Sequence, residues 1–161
     1  MLRKGGLVIS PTAEYALRAV VAIAQAGGDA IVTPNIAEVT KVPAGYLAKV
    51  LQTLRKAGLV DSKRGLGGGF TLAKPAKEIC VLDVVKAVEP IKRIERCPLD
   101  IETHGTNLCP LHKRLDEAYE LVEQTFASVT IAELLDVPGR STPLCQKGQM
   151  IALNPPALKT R

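Results

Sequence analysis

The segment Thr33 to Leu72, TPNIAEVTKVPAGYLAKVLQTLRKAGLVDSKRGLGGGFTL, narrows the possible folds of this chain more than any other. It reads as two short helices followed by a hairpin. Thr33 is placed as an N-cap, with Pro34 at the first helical position, where a missing N–H costs nothing. Ile36, Ala37 and Val39 give this helix one apolar side. Val42-Pro43 interrupts it, because proline cannot continue the hydrogen-bond ladder. A second helix is predicted from about Pro43 to Ala57, with Tyr46, Leu47, Val50, Leu51 and Leu54 at helical spacing and Gly58 as its stop. Two helices joined by so short a turn form a helix-turn-helix. Leu59 to Lys63 and Phe70 to Leu72 then read as strands around a basic, glycine-rich tip, Arg64 to Gly69. That is the hairpin of a winged helix. Such a frame can offer its second helix to a DNA major groove and the cations of its wing to phosphates or the adjacent minor groove. Tyr46 and Lys49 are the expected groove and backbone contacts. Lys63, Arg64 and Gly65 are the expected wing contacts.

The charge distribution suits a polyanionic partner. Residues 1–77 carry 11 Lys+Arg against 4 Asp+Glu, a balance of +7; residues 78–161 carry 10 against 12, a balance of −2. The basic half is the half with the helix-turn-helix, and phosphate contacts supply much of DNA affinity. The glycine-rich tip does not read as a nucleotide cradle, since Phe70-Thr71 follows it where Lys-Ser/Thr would be needed. No Ser-His-Asp or paired-carboxylate arrangement points to catalysis. With 3% aromatic residues and no Trp, the core must come from Leu, Val, Ile and Ala, which suits packed helices. No apolar run is long enough to span a bilayer, and the leader MLRKGGLVIS lacks a signal-peptide core. A soluble, cytoplasmic protein with no membrane partner is expected.

Elsewhere, Ser10 and Pro11 open a helix that runs to about Gln25, with an apolar surface wide enough to be covered on two sides. Within it Glu14 and Arg18 stand four apart and can pair. Cys80 occupies the N-cap position of a helix over about Val81 to Glu89, and Pro90 closes that helix. An irregular stretch, Ile91 to Leu108, holds Cys97 and His104; loops of such length are usually functional or disordered. The longest helix is predicted from Pro110 to about Ser128. Its residues Leu111, Leu115, Ala118, Val122, Thr125 and Val129 repeat as a coiled-coil seam, widened by Leu121 and Phe126. Thr130 to Glu133 is a capping box for a last short helix. Beyond Val137, Pro, Gly, Ser and Lys dominate and a disordered tail containing Cys145 is expected.

Cys109-Pro110-Leu111-His112 puts a thiol at a helix start and an imidazole in its first turn. Soft thiolates suit iron–sulfur clusters, Zn or Cu(I), and a helix N-terminus favours the thiolate. Cys97 and Cys109 bracket the irregular stretch. On spacing alone they are metal or cluster ligands, or a pair of reduced thiols.

Six stretches together resemble one family. They are Ala13 to Arg18, Gly45 to Val50, Leu54 to Val60, Arg64 to Phe70, Asp83 to Glu89 and Cys109 to His112. The family is that of the winged-helix transcription regulators that include the iron–sulfur cluster regulator, the nitric-oxide-sensitive repressor and the cysteine-metabolism repressor. The likeness spans about Ile9 to Leu135. It implies a homodimer on a near-palindromic operator of double-stranded DNA, usually acting as a repressor. It also implies cluster ligation by Cys97 and Cys109, completed by His112 or by Glu14 of the other subunit. The chain departs from the family pattern in two places. It has two cysteines where cluster-binding relatives commonly have three, which disfavours a four-iron (4Fe-4S) cluster and leaves a two-iron (2Fe-2S) cluster with mixed ligands, a thiol redox switch, or no cofactor. It also has Ala48 where some relatives carry a base-reading acid.

The expected fold is therefore mainly α: a winged helix-turn-helix DNA-binding domain over residues 8–89, with a small β-hairpin wing. A cysteine-containing sensor loop and long C-terminal dimerisation helix follow over 90–136, and a disordered tail over 137–161. The expected function is that of a dimeric DNA-binding regulator sensing redox, nitric oxide or iron–sulfur status through Cys97 and Cys109. Two alternatives stand beside it: a cofactor-free regulator controlled by a partner protein, and a small zinc-dependent enzyme built on Cys97, Cys109 and His112.

Overall fold

A computed structural model of the chain describes residues 9–98, 108–136 and 143–144. Helix α1 (Pro11–Gln25) begins where Ser10 Oγ accepts the Ala13 N–H at 3.2 Å, with Pro11 at its first position. Ala13, Ala16, Ala19, Val20, Val21, Ala22 and Ile23 are all buried, so the helix is covered on more than one side. The small alanines let neighbours approach closely. Around α1 pack α2 (Thr33–Thr40), α3 (Ala44–Lys56), α4 (Val81–Val88), α6 (Ile131–Leu135) and the second strand of the wing.

The start of α2 corrects one expectation. Its N-cap is Val32, not Thr33, and no side chain caps it. Ile31 is held in an antiparallel bridge to Phe70, so the chain leaves Val32 in extended geometry and turns helical at Thr33. The Asn35 and Ile36 N–H groups then bond to the Val32 carbonyl. The helix ends at Lys41, which adopts the left-handed conformation (φ 57°). Pro43 caps α3 rather than joining it. At the other end of α3, Gly58 is left-handed and the Gly58 and Leu59 N–H groups bond to the Arg55 and Leu54 carbonyls, a Schellman closure.

The wing is the antiparallel pair β1 (Val60–Lys63) and β2 (Gly69–Leu72), in register from Val60 opposite Leu72 to Lys63 opposite Gly69. On its other edge β2 is pinned by reciprocal backbone bonds between Ile31 and Phe70, at 3.0 and 2.8 Å.

Two capping boxes lie side by side: Cys80 with Asp83 opens α4, and Thr130 with Glu133 opens α6. Burial pushes the Cys80 thiol above its ordinary pKa, as suits a protonated structural cap. Between these boxes the Val81 N–H bonds to the Val129 carbonyl and the Ile131 N–H to that of Ile79, each at 2.9 Å. The long helix α5 (Pro110–Ala127) is thus joined to the body at its last turn. Phe126 and Val129 pack there on Ala13, Val81 and Val85. Toward its beginning the seam is open: Leu111 is 64% and Leu115 43% exposed.

Pro143 and Leu144 are the described residues beyond Asp136. Gln25 Nε2 donates to the Pro143 carbonyl at 2.6 Å, and Leu144 packs on the main core. The leader, His104, Cys145 and the rest of the tail lie outside the described residues. Among those described, no helix is long and apolar enough to cross a membrane.

Gly69 has φ 149°, and a Cβ there would meet the Ile31 backbone at 2.7 Å. Gly69→Ala should therefore cost about 1–3 kcal/mol, read as a shifted denaturation midpoint. Gly45→Ala, in helix α3 with open space around it, should be neutral or stabilising.

Candidate functional site

Helix α3 has two unlike sides. Leu47, Val50, Leu51 and Leu54 are buried in the core, while Gly45, Tyr46, Ala48, Lys49 and Gln52 are exposed. Lys63 ends β1, exposed, and Arg64, Gly65 and Leu66 continue the exposed tip of the wing. All five residues expected to face DNA are thus on the surface.

Tyr46 is more engaged than its sequence position suggests. Its hydroxyl is hydrogen-bonded to Thr12 Oγ1, and its ring stands edge-on to Tyr15, with centroids 5.6 Å apart at 82°. Arg18 lies 5.7 Å from the Tyr15 ring centroid, pairs with Glu14 and donates to the Thr40 carbonyl at 3.1 Å. One face of α1 therefore grips the end of α2 and the start of α3. The Glu14–Arg18 pair was readable from its spacing; Thr12, Tyr15 and Thr40 carried no local signal.

The cysteine region lies at the start of α5. Cys109 is its N-cap, without a side-chain capping bond, so the thiol is left to a different neighbour. Its Sγ lies 3.3 Å from His112 Nδ1, and Pro110 holds the first turn between them. The structure thus brings together two of the expected donors. Cys97 is buried (4% exposed), and Glu14 is held by Arg18 on α1. Among the described residues no three His, Cys, Asp or Glu side chains converge to hold a metal within one chain.

Sequence reasoning missed the group that ties the connector after α4 to α5. Arg93 forks onto Asp116 of α5, Nε to Oδ1 at 2.7 Å and Nη2 to Oδ2 at 2.6 Å. It also reaches Glu120 at 3.2 Å and Glu123 at 3.8 Å. The Ile94 N–H donates to Asp116 Oδ1 at 2.8 Å. The Arg93 guanidinium, and then the Ile94 amide, hold the Asp116 carboxyl down at about 2, and Asp116 in turn raises the Arg93 pKa.

Comparison with known proteins places this geometry in context. Residues 9–137 match the model of the Rrf2 family, an iron-dependent transcriptional regulator. The chain is 31% identical over 134 residues to an Aquifex aeolicus protein whose provisional name is HTH-type transcriptional regulator, covering 81% of this chain and 93% of that one. Among solved structures it is similar to T. potens IscR, with a TM-score of 0.66 and 28% identity over 81% of this chain and 87% of the other. It is also similar to the oxidized form of Staphylococcus aureus CymR, with a TM-score of 0.65 and 28% identity over 81% and 98%.

A carboxyl whose folded pKa is depressed contributes stability that is present above its unfolded value and lost as pH falls through the folded one. The Arg93–Asp116 contact should therefore persist at pH 4 and be lost as pH approaches about 2. In an NMR titration the Asp116 carboxyl should show a midpoint near 2. Arg93→Gln should move that midpoint toward the ordinary value of about 3.9.

Proposed function

The chain belongs to the Rrf2 family of transcriptional regulators, and from that premise we propose that it is a homodimeric repressor on a near-palindromic operator, responsive to iron–sulfur, redox or nitric-oxide status. The observation that carries the DNA reading is the two-sided α3, anchored by four leucine and valine side chains and showing Lys49 to solvent beside a basic wing. Tyr46 and Lys49 meet the groove and its backbone; Lys63, Arg64 and Gly65 meet the flanking phosphates or minor groove. The exposed apolar start of α5, with Leu111, Leu115, Tyr119 and Leu121 open to solvent, supports a second copy as the cover of that seam. Two-fold symmetry would then present two recognition helices to two half-sites.

For sensing, the preformed Cys109–His112 pair supports ligation of an iron–sulfur cluster. Cys97 would supply the second thiolate and Glu14 of a second copy an oxygen. This mixed donor set suits a two-iron rather than a four-iron cluster. The carboxylate would have to exchange Arg18 for the cluster, which would loosen the hold of α1 on the Thr40 carbonyl. A bound cluster supplies a centre that responds to oxidants and nitric oxide. The similarity to the oxidized form of CymR favours a second reading, in which the same thiols respond without iron.

Lys49→Ala should weaken operator binding about equally across sequences and lower the slope of log K against log salt by about 1. An unchanged slope in a salt titration would remove Lys49 from the interface. Leu115→Glu should give a monomer by sedimentation and lose operator binding with it. Protein purified without oxygen should contain near-equal iron and acid-labile sulfide, lost in Cys97→Ser and Cys109→Ser; absence of both would leave the thiol reading.

A further inference from the structure

The chain from the last turn of α4 onward runs along α5 in a definite direction. Lys86 Nζ lies 3.0 Å from Glu123. Arg93 forks onto Asp116, and the Ile94 N–H bonds to the same carboxylate. As the chain advances from residue 86 to 94, its partners move back toward the beginning of α5. Cys97 comes three residues later and is buried.

We infer that Asp116, through Arg93 and the Ile94 amide, is the positioning residue that sets the register of the Cys97 segment on α5 and so keeps Cys97 buried. The inference rests on reading Cys97 and Cys109 as the sensor, although the register itself needs no metal. Asp116 takes three N–H donors. The planar guanidinium fixes orientation as well as distance, and the amide fixes the path of the backbone. Lysine would keep the charge at position 93 and lose the fork. Glu120 and Glu123 lie one and two turns further along the same stripe, already within 3.2 and 3.8 Å of Arg93. With Asp116 neutralised, Arg93 has a carboxylate waiting about one turn, or roughly 5.4 Å, further from Cys109. The acidic stripe therefore offers two registers, and Asp116 selects the one in which Cys97 is buried.

The test uses full-length, reduced, metal-free protein. Each cysteine's alkylation by N-ethylmaleimide is timed by peptide mass spectrometry. Asp116→Asn should speed Cys97 labelling roughly tenfold, because local opening replaces two charge-assisted bonds. Cys80, which caps α4 away from this contact, should keep its wild-type rate. Arg93→Gln should reproduce the effect should Asp116→Asn fold poorly, and Arg93→Lys should fall between Arg93→Gln and wild type. Unchanged Cys97 labelling in both Asp116→Asn and Arg93→Gln would overturn the inference. So would equal acceleration of Cys80 and Cys97, which would mean general loosening. Selective Cys97 acceleration in a protein whose anaerobic preparations hold no iron would uphold the register and sink the cluster reading alone.

Discussion

Everything else in the structure depends on how closely other elements can approach α1. Its alanines at 16, 19 and 22 are fully buried, and no larger side chain stands between its backbone and its neighbours there. Helix separations follow the side chains at the contact, and small ones permit the closest approach. A single helix can therefore touch α2, α3, α4, α6 and the wing strand at once. The aliphatic side chains around it, Ile31, Ile36, Leu47, Leu51, Leu54, Ile79 and Ile131, fill the remaining core without help from tryptophan.

The less buried strip of α1 does a different job. Thr12 and Tyr15 meet Tyr46 at the start of α3, and Arg18 donates to the last carbonyl of α2, that of Thr40. The helix-turn-helix is thus fastened to α1 twice, by apolar packing below and by polar contacts at the edge. Arg18 is also the partner of Glu14, so a change at that carboxylate is felt at the turn between the two helices. The Lys41 turn has no glycine to relax into, and this stiffens the connection.

Local grammar made most of the fold legible. Ser10-Pro11, the Thr130-to-Glu133 box and Gly58 each act within a few residues, and each appears in the structure as its chemistry predicts. Where distant residues decide, the sequence was mute. Val32 became a cap because Ile31 pairs with Phe70, thirty-nine residues later. The left-handed Lys41 had no marker, since glycine or asparagine usually fills that role. Asp116, Glu120 and Glu123 do form a readable acidic stripe, but nothing local tells which cation will find it. The exposed side of α3 and the closeness of Cys109 to His112 were legible from spacing alone.

The reciprocal bonds joining residues 79–81 to 129–131 give α5 a mechanical character. An 18-residue helix clipped at one end is a lever about 27 Å long. Its root is sewn to α1 and α4, close to the body that carries the recognition helix, and its far end carries Cys109. A tilt of about five degrees at the root displaces that tip by roughly 2 Å, and the same ratio works in reverse. A modest push at the thiol end has a long arm with which to turn a well-packed base.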